Sequence, residues 1–159
     1  MTAQLFEEEA LNRFIRQEIR YLNKNLFDPW IDLFTEDGIY LMPLDEDQAD
    51  PAIYDMIMFD NVSLMKIRRE NFGHPDSPSM AYPMRSMRMV SDSAITAADA
   101  ESCQTETPFV ASIYYQKMTW YAGTYIHHFR AEGEALKLTR KQVNLLDMGA
   151  PQGAIMTYL

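Results

Sequence analysis

The stretch DPWIDLFTEDGIYLMPL, residues 28–44, decides the fold. Asp28 is placed to accept a hydrogen bond from an unpaired backbone N–H, and Pro29 suits a first helical position because it has no N–H to lose. Together they predict a helix start. Trp30, Leu33 and Phe34 follow at helical spacing, the tetrapeptide TEDG at 35–38 breaks the pattern, and residues 39–44 read as a strand. A short helix that runs through an acidic turn into a strand, behind a longer helix, is how a cone of helices on a curved sheet begins.

The longer helix is written just upstream. Leu11, Phe14, Ile15, Ile19, Leu22 and Leu26 recur every three or four residues, with Arg13, Arg16, Gln17, Arg20 and Lys24 on the other side. This spacing predicts an amphipathic helix over 5–25, and Glu7, Glu8 and Glu9 in its first turns match the positive end of the helix dipole. Downstream, residues 45–51 form an acidic loop without the glycine-centred spacing of a calcium loop. Residues 54–70 carry Tyr54, Ile57, Met58, Val62 and Met65 and close on Lys66, Arg68 and Arg69, which predicts a third helix ending near Gly73. The segment 74–79, rich in proline and serine, reads as irregular.

From residue 83 onward the pattern is β. Four strands are expected, over 84–95, 109–118, 120–130 and 136–146, with hairpin connections at 97–101 and 131–134 and a tight turn near 119–122. The apolar end, residues 154–159, is expected to dock as a further strand. The order helix, short helix, strand, helix, then antiparallel strands gives an α+β fold: three N-terminal helices on one strongly curved, mixed but mostly antiparallel sheet, in a single domain over 1–159.

Composition limits the function classes. With 159 residues, 47% hydrophobic and 23% charged, the chain has material for a substantial core. A net charge of −9 opposes nucleic acid or an anionic membrane as partner. The single cysteine, Cys103, forms no internal disulfide and fits a reducing compartment, and no run approaches the roughly 20 apolar residues of a membrane helix. With the start showing no secretory pattern, a cytoplasmic location is expected.

The residues exclude most chemistries. One cysteine and three histidines supply no iron–sulfur or zinc spacing, and no phosphate-binding glycine loop or nucleophile elbow is present. His127 and His128 fall on opposite faces of a strand and so do not chelate together. Acid–base chemistry inside the cone remains open, with Asp37 or Asp60 beside Tyr40 or Tyr125, and His127 or His128 as a base. Methionines at 80, 84, 87 and 89, interleaved with Tyr82, Arg85 and Arg88, and a second set at 56, 58 and 65, fit core filling or an interface.

Four segments carry a family resemblance: residues 14–43 with FDPWIDLFTEDGIYLMP at their centre; Phe59-Asp60 with Ile67-Arg68-Arg69; MRMVSD at 87–92; and the pair 125–130 and 138–146. In these the chain resembles the small, or beta, subunit of aromatic-ring-hydroxylating dioxygenases, within the NTF2-like or SnoaL-like fold group. It departs from the family pattern at Met87 and Asp92, where a hydroxyl residue and an asparagine are usual. The resemblance implies a non-catalytic subunit without catalytic, cofactor or metal residues of its own. It also implies a homotrimer formed through the sheet, in an alpha3beta3 oxygenase whose large alpha subunits hold the Rieske 2Fe-2S cluster and the mononuclear iron. Arg68, Arg69, Arg85 and Arg88 are the expected partner contacts. A stand-alone NTF2-like pocket enzyme of isomerase, cyclase or dehydratase type, or a homotrimer without a large partner, are the alternatives.

Overall fold

The computed structural model describes residues 4–71 and 84–159; the expected irregular segment 74–79, Met80 and Tyr82 lie outside them. Helices α1 (Glu8–Asn23) and α2 (Phe27–Ile31) lead into strand β1 (Phe34–Pro43), followed by β2 (Met56–Asn61) and helix α3 (Val62–Asn71). The β half comprises β3 (Arg85–Val90), β4 (Ala94–Ala98), β5 (Ser102–Tyr115), β6 (Lys117–Glu132) and β7 (Ala135–Leu145). One seven-stranded sheet results, in the order β2-β1-β7-β6-β5-β3, with β4 also pairing β5. Every pairing is antiparallel except β1 with β7. The α+β fold with helices on one face of a curved, mostly antiparallel sheet is therefore the one the sequence implies.

Several local expectations change. Asp28 does not cap α2: the helix starts at Phe27 after Leu26, with no side-chain cap, and Asp28 instead pairs with Arg69 of α3. The TEDG segment does not separate helix from strand. It lies inside β1, which begins at Phe34 and slips register against β7 between Phe34 and Ile39. The third helix is shorter than expected because residues 56–61 form an edge strand; Asn61 then accepts from the Leu64 N–H and starts α3. The expected strand over 84–95 is two strands, β3 and β4, and the expected second β segment begins at residue 102 rather than 109. The β5–β6 turn sits at Gln116, not at 119–122; Gln116 takes φ 64° as the lone residue between the paired Tyr115 and Lys117. The final residues dock, as buried Thr157, Tyr158 and Leu159 show, but without strand pairing.

The core lies between the helices and the concave face. Leu11, Ile15, Ile19 and Leu22 of α1 meet Trp30, Tyr40, Phe109, Tyr125, Phe129 and Val143 there. Phe14 adds an edge-to-face contact to Phe129 at 5.1 Å.

Candidate functional site

Register places the polar interior. Asp60 of β2 pairs with Tyr40 of β1, Tyr40 with Lys141 of β7, Lys141 with His127 of β6, and His127 with Thr105 of β5. Side chains alternate across a strand, so residues opposite one another in register share a face. These five form one row across five strands, and all are buried. The next row carries Val143, Tyr125 and Thr107, and Phe109 stacks on Tyr125 at 3.9 Å.

Glu18 completes the row from above. It sits on the apolar stripe of α1, fully buried, and takes the Trp30 indole N–H at 3.2 Å on Oε1, His127 Nε2 at 2.8 Å on Oε2, and Lys141 Nζ at 2.5 Å on Oε1. Burial alone would raise the pKa of Glu18; the charges of Lys141 and His127 outweigh it and hold the carboxyl well below the usual range. Lys141, also 4.2 Å from the centroid of the Tyr125 ring, is pulled down to about 8 because burial disfavours its charge more than Glu18 favours it. Burial raises the Tyr40 and Tyr125 phenols.

A second network closes the interior. Arg68 grips Asp60 through two bonds, of 2.7 and 2.9 Å, and the Tyr158 hydroxyl donates to the same carboxylate at 2.6 Å. Tyr158 packs between Trp30 and Tyr40, at 4.5 and 4.9 Å between ring centroids, while the Leu159 N–H donates to the Tyr40 hydroxyl at 2.9 Å. Arg88 donates to the Tyr158 carbonyl, to Asn23 and to Ser86. The residues at 157–159 thus cover the row at its Tyr40–Asp60 end.

The structure brings together four of the candidates named from sequence, Tyr40, Asp60, Tyr125 and His127, and leaves two out. Asp37 is exposed and paired with Arg130. His128 lies on the opposite, convex face; burial and then Arg140 lower its pKa to about 4. Of the four arginines expected at a partner, Arg88 is buried at 3% exposure and spent on internal bonds, and Arg68 is committed to Asp60. Arg69 and Arg85 remain at the surface, Arg85 over the Tyr114 ring at 5.3 Å.

The convex face carries a different site. Met87 of β3 is in register with Ser112 of β5 and Trp120 of β6, Arg85 with Tyr114 and Met118, and Met89 with Val110. Among these, Trp120 is 64% exposed and Met87 and Met89 are each 60% exposed. Met84 and Met65, by contrast, fill the core. The methionines thus divide between the two roles the sequence left open.

A family model described as ring hydroxylating beta subunit matches residues 17–149, a span that includes both the interior row and the convex patch. The chain belongs to the ring-hydroxylating beta subunit family. Solved structures agree in fold. The beta subunit of benzoate 1,2-dioxygenase from Burkholderia mallei superposes with a TM-score of 0.72 at 19% identity, over 87% of this chain and 90% of that one. A chain of naphthalene 1,2-dioxygenase with indole in its active site gives 0.74 at 15% identity, over 96% and 88%. An NTF2-like protein with a cystatin-like fold from Novosphingobium aromaticivorans gives 0.62 at 13% identity, over 91% and 86%. A comparison with curated proteins returned no match.

In this member of the beta-subunit family, Glu18 and Lys141 join those four candidates in the interior without having been singled out from sequence, and Trp30 was expected only as an apolar residue of the short helix. The signal was there for Glu18, which lies three residues after Ile15 and four before Leu22 on the apolar stripe of α1. Lys141 likewise alternates inward with Val143 and Leu145. Among the described residues no cluster of His, Cys, Asp and Glu has the makings of a metal site. Nor is any described helix long and apolar enough to cross a membrane.

Proposed function

We propose that this chain is the non-catalytic small subunit of a ring-hydroxylating dioxygenase of the Rieske non-haem iron type. It acts by assembly. Three copies join through the convex face of the sheet and support three large subunits, alpha3beta3, in the cytoplasm; the large subunits hold the 2Fe-2S cluster and the mononuclear iron and oxidise an aromatic ring. Family membership over residues 17–149 carries this reading. The convex patch supports the self-association. Met87, Met89, Tyr114, Met118 and Trp120, with Arg85 as the nearby charge, have the aromatic, methionine and arginine composition of an interface core. On a chain of net charge −9, the residues named for this patch include no carboxylate, which favours like meeting like there.

The acid–base groups a stand-alone pocket enzyme would use are buried, and Tyr158 and Leu159 are bonded onto Asp60 and Tyr40 among them, which favours a packed interior over a substrate pocket. The test is to purify the tagged chain from its native source, then record native mass and visible absorption. A three-plus-three assembly with Rieske absorption is expected. A colourless homo-oligomer would sink the subunit reading.

A further inference from the structure

The seven-stranded sheet ends at β2, which among the described residues is paired on one side only, with β1. Natural sheets guard such an edge with lysine, arginine or proline, because its free N–H and C=O groups pair with any strand that meets them. β2 lacks that guard. Its residues read MIMFDN, and the one charge, Asp60, is bonded inward to Arg68 and Tyr158. The strand at the other end of the sheet, β3, carries Arg85. In β2, Met56, Ile57 and Met58 are half-buried and Phe59 is exposed.

A hollow of about 440 Å³ follows this edge. It is lined by the consecutive residues 55–59 together with Pro51, Tyr54 and Arg68. Side chains alternate between the faces of a strand, so consecutive residues line one hollow where it runs along the edge rather than over a face. Helix α3, which follows β2 directly, adds to the rim. Leu64, Ile67 and Arg68 lie at helical spacing on one side of it, with Leu64 and Ile67 exposed, and only Met65 of this helix is buried. The helix also holds three cations, Lys66, Arg68 and Arg69, against one carboxylate, Glu70, on a chain of net charge −9.

Resting on the small-subunit role, we propose that the β2 edge is where the large subunit docks, by adding a short extended segment as a further strand of the sheet. Main-chain hydrogen bonds to β2 hold the segment, an apolar side chain fills the hollow against Tyr54 and Phe59, and a neighbouring carboxylate meets Lys66. The register slip between Met56 and Met58 leaves Met58–Asn61 as the regular edge, so the added pairing covers about four residues. A second copy of this chain is a poorer fit. Two β2 edges pair by a two-fold and close a dimer rather than a ring of three, and the patch assigned to self-association lies toward the β3 end of the sheet.

Amide hydrogen exchange tests the edge without altering it. The β2 amides that point away from β1 are compared between the purified chain and the purified assembly that shows Rieske absorption, where they are expected to exchange at least about tenfold more slowly. Equal exchange overturns the proposal, and so does protection already present in the chain alone, which would give the edge to another copy. Phe59→Lys supplies the missing guard at an exposed position. It is expected to lower the large subunit retained on the tagged chain at least about tenfold, while the far-ultraviolet spectrum and the sedimentation mass of the chain alone stay as in the parent. Should that variant not fold, Lys66→Glu on the exposed face of α3 is expected to weaken retention in the same direction. Undiminished retention in the folded variant overturns the docking surface and leaves the small-subunit role standing, whereas a parent chain that retains no large subunit overturns both.

Discussion

Glu18 is a carboxylate on the apolar side of a helix, and three donors on three different elements converge on it: Trp30 from α2, His127 from β6 and Lys141 from β7. Glu18→Gln keeps the shape and removes the charge. Breaking one side of a buried ion pair costs about 3–5 kcal/mol, and urea unfolding should show a loss of that size. The depressed pKa fixes the pH dependence. Folding favours the ionised form of Glu18, so its contribution is complete above its ordinary value of 4.5 and is lost as pH falls below it. Unfolding followed from pH 6 to pH 3 should show this acid-side decline in the parent protein and a reduced one in Glu18→Gln. Lys141 offers a direct readout. Its side-chain NMR signals should titrate near pH 8, far below exposed lysines, and Glu18→Gln should move that midpoint lower because the attraction that opposes desolvation is gone.

Among the elements, the helices and long strands were legible because burial imposes their periods. α1 matches its 3.6-residue pattern to within three residues at each end, and β6 and β7 follow from alternation. What escaped was set by partners distant in sequence. β2 looked helical because Ile57 and Met58 also fit a helical stripe; its pairing with β1 from Ile39 to Pro43 overrides that local preference. The Gln116 turn carries no glycine or asparagine, and nothing in its neighbours announces a positive φ. Gly123 is a further position set by a partner distant in sequence. A Cβ there would lie 2.0 Å from the Asn144 carbonyl oxygen, so Gly123→Ala should force β6 and β7 apart. Faster amide hydrogen exchange at Tyr125 and Val143 would record it. The closing segment has its own test. Tyr158→Ala removes an aromatic packed on Trp30 and Tyr40 and should cost about 3–5 kcal/mol in urea unfolding.

Across the whole molecule, the concave face carries the buried network, while the apolar convex face is where the proposed self-association would act. Trp120 is exposed and packs little of the core, so under the proposed trimer Trp120→Glu should leave the far-ultraviolet spectrum unchanged while shifting the mass in sedimentation from trimer to monomer. An unchanged mass would place the contact elsewhere. The sequence showed the family, through residues spread over the chain, but not the interior network, because Glu18 and Lys141 are informative only once α1 and β7 are known to face each other. That same separation constrains the order of events during synthesis. β1 lies parallel to β7, and Glu18 is 109 residues from His127 along the chain. A ribosome therefore adds 109 further residues after Glu18 before the first helix can meet His127. Until then α1 is an amphipathic helix with an unmatched carboxylate on its greasy side, which delays premature collapse and leaves the nascent chain dependent on late, long-range pairing.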